Sequence, residues 1–192
     1  MSGPISFGYQ NLGFGGGSAL DPGQLVFIQK VTVSAASTID MTDVFTTDYG
    51  MYLVQFTHFF SAENTGNLEI GFFNASGIVT GSSYNHVAFE MKSNATWSEV
   101  KASDAAKIDS LGAAGTTQAN SGGGYIVIGN PAQARGTFTM GNGGGISDDE
   151  SRFYNMLNVG GLAVAEAHTG IRFQNAGHNI TGTFKLYAYK DS

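Results

Sequence analysis

The chain has 192 residues, of which 42% are hydrophobic and only 12% are charged, and its formal net charge is −6. This composition permits a buried core and excludes disorder along the whole chain, while the acidic balance argues against a nucleic-acid-binding protein, which carries a basic patch or stripe. The chain contains no cysteine, so a disulfide framework, a thiolate zinc site and a cysteine nucleophile are all excluded.

Residues 1–24 differ in composition from the rest of the chain. They are rich in glycine and follow neither a helical nor a strand period. Their isolated apolar side chains include Phe7, Tyr9, Leu12 and Phe14. A segment of this kind cannot bury a core of its own, so we predict an extended arm that lies along another surface and serves as an anchor in assembly. Residues 25–192 are predicted to form one β-sandwich domain.

The N-terminus has no basic region followed by an apolar stretch, as a secretory signal would have. Apolar runs elsewhere are a handful of residues long, far short of the ~20 residues that cross a bilayer. We therefore expect a soluble protein that is made in a cytoplasm and is not inserted into a membrane.

From residue 25 onward, short apolar runs and apolar–polar alternation recur between turns rich in Gly, Asn, Ser and Asp. The first run, residues 25–33, has apolar residues on both faces and predicts a buried strand. The others lie at residues 51–60, 68–72, 87–91, 125–128, 138–140, 153–159, 162–165, 171–173 and 184–189. About eight to ten short strands are typical of an all-β fold. We predict an antiparallel, jelly-roll-like β-sandwich with an extended glycine-rich N-terminal arm.

Two connections have patterns of their own. Ser103 is a suitable N-cap and Gly112 a suitable residue after a C-terminus, which predicts a helix of one or two turns between them. Residues 141–145, Gly-Asn-Gly-Gly-Gly, predict a long flexible loop.

The sequence lacks the patterns that enzymes commonly carry. Neither a phosphate-binding glycine loop nor a serine-hydrolase elbow is present, and the four histidines do not stand at metal-ligand spacing. We interpret His58, on an aromatic strand face, as a core or interface histidine, and His86, on the same predicted solvent face as Glu90, as a surface residue. The expectation is a non-enzymatic protein with no catalytic residues and no cofactor.

Two further features offer binding chemistry. Asp148, Asp149 and Glu150 are consecutive carboxylates that offer oxygen ligands to Ca²⁺, although solvated loop charge is the favoured interpretation. Trp97, the single tryptophan, lies in a polar, turn-rich segment. It is a candidate for stacking on a sugar ring, with packing in the core or between subunits as the favoured interpretation.

Two stretches and a segment between them carry a family resemblance. The first begins with the pattern ID-x-T, within residues 36–42, and continues with Y-x-x-Y-x-V-x-F, formed by Tyr49, Tyr52, Val54 and Phe56. A Leu-x-Ile strand at residues 68–70 and Tyr84 follow. The second joins residues 170–173 (GIRF) to residues 180–187 (ITGTFKLY), with residues 124–131 (GYIVIGNP) between the two. Over residues 36–189 the chain resembles structural proteins of tailed bacteriophages, especially marine ones. Their ending usually has glycine after the tyrosine, where this chain has Ala188.

The resemblance implies a jelly-roll-like sandwich without catalytic residues, located in a virion and made in the host cytoplasm. We expect a capsid decoration or head-associated protein that forms a symmetric homo-oligomer, with a trimer favoured. Its other partners would be virion proteins such as the major capsid protein or tail proteins, and not nucleic acid. Two alternatives stay open: a tail or fibre component, and a module that binds a host-surface glycan or receptor.

Overall fold

The computed structural model describes residues 24–62, 67–81, 83–93, 97–111, 115–147 and 152–190. Within these ranges it contains thirteen strands and one 3₁₀ turn, Gln118–Asn120. The strands form two antiparallel sheets that pack face to face. The prediction of an all-β sandwich is thus confirmed, whereas the jelly-roll connectivity stays a prediction and residues 1–23 of the predicted arm lie outside the described residues.

The larger of the two sheets, called the large sheet below, has eight strands. In spatial order they are β1 (Leu25–Ala36), β13 (Ile180–Tyr189), β3 (Met51–Ser61), β9 (Gly122–Gly129), β10 (Arg135–Ser147), β11 (Arg152–Glu166), β6 (Tyr84–Lys92) and β7 (Trp97–Ala105).

The small sheet covers part of the inner face of the large one. Its order is β2 (Thr38–Met41), β12 (Gly170–Gln174), β4 (Leu68–Asn74) and β5 (Gly77–Ile78), and β8 (Ile108–Leu111) pairs with β4 as well. β8 also contacts β6, β10 and β11 of the large sheet. The two sheets therefore enclose one core between them.

The core follows from the two-residue period of the strands. In β13 every second residue from Ile180 to Ala188 is buried, and the ring of Phe184 lies 5.6 Å from that of Phe56 and 5.0 Å from that of Phe173. Fully burying a side chain of this size contributes roughly 1.5–3 kcal/mol. These rings bring β3, β13 and β12 together and so join the two sheets.

Buried tyrosine hydroxyls are paired with the backbone. The hydroxyl of Tyr84 on β6 accepts a hydrogen bond from the Phe72 amide at 2.9 Å and donates to the Val79 carbonyl at 3.3 Å. Tyr52 does the same with the amide and carbonyl of Thr46, at 2.8 and 3.2 Å. Burial raises the pKa of both phenols. Tyr84 thereby fixes the large sheet to the small one.

Three predictions of local structure were wrong. Residues 103–111 form no helix but the end of β7 and the strand β8, and Asp104, still within β7, has a φ of +55° where the pairing of β7 with β6 shifts register. Residues 141–145 are not a loop but part of β10, paired with β9 and β11. The first strand, β1, is the edge of the large sheet and contains no fully buried residue, because its apolar residues on one side face solvent.

The interpretation of His86 as a surface residue was also wrong, and so was a place in the core for His58, whereas a place for His58 in an interface stays a prediction. His58 is exposed, because its φ of +54° interrupts the alternation of β3, so that Phe56 and Phe59 are buried on either side of it. His86 is buried, with Nε2 3.8 Å from a carboxylate oxygen of Asp109 on β8. β6 therefore turns His86 inward and its neighbour Val87 outward.

Candidate functional site

The outer face of the large sheet is apolar across many strands. In the strand register Val127 of β9 lies opposite Met140 of β10, Met140 opposite Val159 of β11, and Val159 opposite Val87 of β6. Directly opposite residues point to the same side of a sheet. These four side chains therefore form one continuous row.

The same row continues to the other edge of the sheet. Val127 is opposite Leu53 of β3, which is opposite Tyr187 of β13, which is opposite Phe27 of β1. A second row, one pleat away, includes Tyr125, Leu157 and Phe89. We call the exposed members of these rows and of the next the apolar face: Leu25, Phe27, Met51, Val87, Phe89, Tyr125, Phe138, Met140, Leu157 and Val159.

The apolar face is large for a protein surface. Its ten members are each 38–56% exposed, and at roughly 200 Å² for a large apolar side chain they present about 1,000 Å² of exposed area. The largest apolar patch on a typical monomer is about 300–600 Å², and larger ones mark interaction sites. This surface is therefore the candidate functional site.

Two depressions lie on this face. One, of about 890 Å³, is bordered by Val87, Phe138, Val159 and Lys101 and has Gly161 at its base. The other, of about 490 Å³, lies among Phe89, Tyr125, Met140 and Leu157. Gly161 is opposite Phe138 in the register, and a Cβ on it would collide with the backbone oxygen of Thr137. The absence of a side chain there opens the first depression.

The inner face of the same strands is partly polar. Thr137 and Thr139 of β10, Asn158 of β11 and His86 of β6 are buried on it, and the Asn158 amide donates to the Asp109 carbonyl of β8 at 2.7 Å. In this half of the large sheet, polar side chains are thus buried on the inner face beside apolar ones, while many of the outward side chains are apolar. A surface of this kind is typical of a face that another molecule covers.

The outer face of the small sheet has the opposite character. Arg172 of β12 donates two hydrogen bonds to the carboxylate of Asp40, at 2.7 and 2.6 Å, which raise the pKa of its guanidinium. Its guanidinium also lies 5.2 Å from the centre of the Phe73 ring. Glu69 accepts hydrogen bonds from Lys107 at 2.5 Å and from Gln174 at 2.9 Å. Charged and paired side chains suit this face to water.

A hydroxyl, an imidazole and a carboxylate are aligned inside the sandwich. Thr137 Oγ1 lies 3.0 Å from Nδ1 of His168, whose Nε2 lies 3.3 Å from Oε1 of Glu166, and Asn74 donates to the other Glu166 oxygen at 3.1 Å. Burial lowers the pKa of His168 in spite of the neighbouring carboxylate. The order resembles a nucleophile, base and acid, but Thr137 and His168 are almost fully buried, so the group fastens the start of β12 to β10.

The sequence-based site candidates are in different places. Trp97 begins β7, is 71% exposed and lies opposite Met91, which excludes its packing in the core of the chain. The calcium candidates Asp148, Asp149 and Glu150 lie outside the described residues, as do the arm candidates Phe7, Tyr9, Leu12 and Phe14. The described ranges hold no group of three or more acidic or histidine side chains suited to a metal ion.

The prediction that His86 and Glu90 lie on the solvent face of their strand assigns Val87 and Phe89 to the opposite, core face, and both are exposed instead. The sequence does contain one indication of the apolar face: β1 and β3 carry apolar residues on both sides. A sheet with one face in the core and one in water needs apolar residues on one side only. No helix in the described part of the chain is long and apolar enough to span a membrane. No family model, curated protein or solved structure matches the chain.

Proposed function

We propose that this chain is a non-enzymatic structural protein of a tailed-bacteriophage particle, acting as a capsid decoration or head-associated protein in the form of a symmetric oligomer. The observation that carries the proposal is the apolar face, about 1,000 Å² of exposed apolar surface on a sheet fixed by a well-packed core. A rigid β-sandwich of this kind can bind a neighbouring protein through its apolar outer face while its charged outer face stays in contact with water.

The residues that carry the phage resemblance support the scaffold part of this proposal. Tyr52, Val54 and Phe56 lie in β3, and the C-terminal stretch forms β12 and β13, all of which contribute to the core. The resemblance therefore concerns the framework of the sandwich. The role in assembly is supported by the surface, whose apolar area exceeds the roughly 800 Å² per partner of a standard protein interface.

The test is the copy number of this protein in purified phage particles, measured by quantitative mass spectrometry against the major capsid protein. A ratio near that of the capsid subunit is the expected result for a decoration protein. A few copies per particle would indicate a tail or fibre component instead, and absence from particles would contradict the virion role altogether.

A second candidate function is binding of a host-surface glycan. It is favoured by Trp97, whose 71% exposed indole offers a flat ring on which a sugar can stack. Glycan-array binding that is lost in Trp97→Ala and kept in Phe153→Ala would establish it. Phe153 is the matched control, because it is an aromatic side chain of the same sheet with 68% exposure. Equal binding by both variants, or none by the wild type, would exclude it.

A further inference from the structure

We infer that the apolar face is an interface between two copies of this chain, packed sheet against sheet. The inference rests on the proposed function, because it names the surface and the partner that a structural protein would use in assembly. Self-association is nevertheless a property of the purified protein, so it holds or fails independently of any place on a virus particle.

The dimensions of the face favour a second sheet as the occupant. It extends over seven neighbouring strands, from β1 to β6, which at about 4.8 Å per strand is roughly 30 Å. A single extended segment would cover one strip of such a surface. A second sheet, packed at about 10 Å, covers all rows in one contact, and about 1,000 Å² per copy is enough for a stable dimer.

Charge at the edges of the face indicates how the copies are arranged. Lys30 of β1 lies opposite Lys185 of β13, and neither has a carboxylate within ion-pair distance among the described residues. At the other edge of the same row, Glu99 of β7 lies opposite Phe89 and forms an ion pair with Lys101 at 2.9 Å, which the lysines of a second copy would join. A twofold axis parallel to the strands brings the lysines of one copy to Glu99 of the other, whereas an axis across the strands would place lysine on lysine.

Shape favours the same arrangement. With the axis parallel to the strands, Phe27 and Tyr187 at the β1 edge of one copy meet the β6–β11 part of the other in the same row. That part holds the depression above Gly161, bordered by Val87 and Val159. The face thus carries both a projecting ring and a depression, as a self-complementary contact requires.

The experiment is sedimentation equilibrium of the full chain and of variants over a wide concentration range. The wild type should form a dimer or a larger assembly of copies, and Val159→Lys should raise the dissociation constant about tenfold or more, because a charge is then buried in the contact, where Phe27 and Tyr187 of the other copy meet β11. Val164→Lys is the matched control, since Val164 lies on the same strand with 42% exposure against 51% for Val159 but outside the rows of the face. It should associate like the wild type.

The arrangement is tested by reversing charges. Lys185→Glu and Glu99→Lys should each weaken association several-fold, and the double variant should recover most of the loss. Failure to recover would overturn the axis parallel to the strands.

A monomer at all concentrations would overturn the inference; the face would then be covered by residues 1–23 of the same chain or by a different protein. An assembly that neither Val159→Lys nor a second variant, Leu157→Lys, dissociates would also overturn it, provided that both variants unfold cooperatively. A chain that self-associates but is absent from particles would contradict the virion role alone. A monomer found in particles would contradict this inference and the oligomeric form, and would leave the virion role in place.

Discussion

The hydroxyl, imidazole and carboxylate of Thr137, His168 and Glu166 stabilise the fold, although the same groups are catalytic in some enzymes. Their hydrogen bonds satisfy polar atoms in the interior, where an unpaired polar group costs about 1–3 kcal/mol. The amide of His168 also donates to the Pro131 carbonyl at 2.7 Å. His168 therefore holds the segment just before β12 against two places, the strand β10 and the turn that precedes β10.

Stability should fall in mild acid because of His168. Burial lowers the pKa of its imidazole in the folded protein below the usual 6.5, so below pH 6.5 the unfolded chain binds a proton that the folded chain does not. The free energy of unfolding should then decrease as pH falls from about 6.5 toward the lowered pKa, by at most about 1.4 kcal/mol per pH unit. Denaturant unfolding of the wild type and His168→Gln between pH 7.5 and 5 tests this. Equal slopes in the two proteins would contradict it.

Loss of the Tyr84 hydroxyl should destabilise the fold. Tyr84→Phe leaves the buried Phe72 amide without its acceptor, which should cost about 1–3 kcal/mol. Tyr49→Phe is the control, since Tyr49 is only partly buried and lies outside the apolar face, so that loss of its hydroxyl should change stability by no more than about 0.5 kcal/mol. Denaturant unfolding of both variants measures the difference, and equal stabilities would contradict the assigned role of Tyr84.

At the level of elements, β10 is the part of the fold that sequence reasoning predicted least well. Gly141 and its neighbours looked like a loop because glycine is depleted in strands. Within β10, Gly143 and Gly144 pair instead with Gly124 and Gly123 of β9, and a Cβ on Gly124 would collide with the backbone of β10, so that side chains would not fit there. The need for glycine in β10 depends on the strand that pairs with it. The sequence of β10 alone therefore could not predict that this segment is a strand.

A methyl group at Gly124 of β9 should destabilise this pairing. Its Cβ would lie 2.6 Å from Cα of Gly143 and 2.8 Å from Cζ of Phe56, closer than packing allows, and overpacking of this kind costs about 1–3 kcal/mol. Gly136→Ala is the control, because a Cβ there meets a single atom at 3.3 Å. Thermal unfolding should place Gly124→Ala well below Gly136→Ala, and the reverse order would contradict the close approach.

The alternation in β6 shows what the sequence could and could not predict about the site. That β6 is a strand with one apolar and one polar side was predictable from Val87, Phe89 and His86. Which side faces the core was not, because alternation gives the period of a strand but not its phase. The phase is set by β8, which covers the polar side and pairs with β4, a long-range arrangement that no local pattern encodes.

For the whole molecule, the contrast between the two outer faces matters most. One outer face carries ion pairs and the other carries ten exposed apolar side chains. The residues that carry the phage resemblance lie in the framework of the sandwich. The apolar side chains of separate strands are brought together by the strand register and not by any motif. The candidate site therefore became visible only with the fold.

Association through the apolar face should make thermal stability depend on protein concentration. A partner that binds only the folded chain stabilises it by mass action, so the Tm of the wild type should rise over a hundredfold increase in concentration, while that of Val159→Lys should stay constant. Differential scanning calorimetry measures both. A constant Tm for the wild type would argue against a dimer that dissociates in this range.

The central claim is that the large sheet uses its apolar face to assemble with copies of itself, and the most direct test is the mass of the intact chain in solution. Sedimentation equilibrium should give a multiple of the 20.1 kDa chain mass for the wild type and for Val164→Lys, and a mass approaching that of one chain for Val159→Lys. A mass of one chain for the wild type at every concentration would contradict the claim.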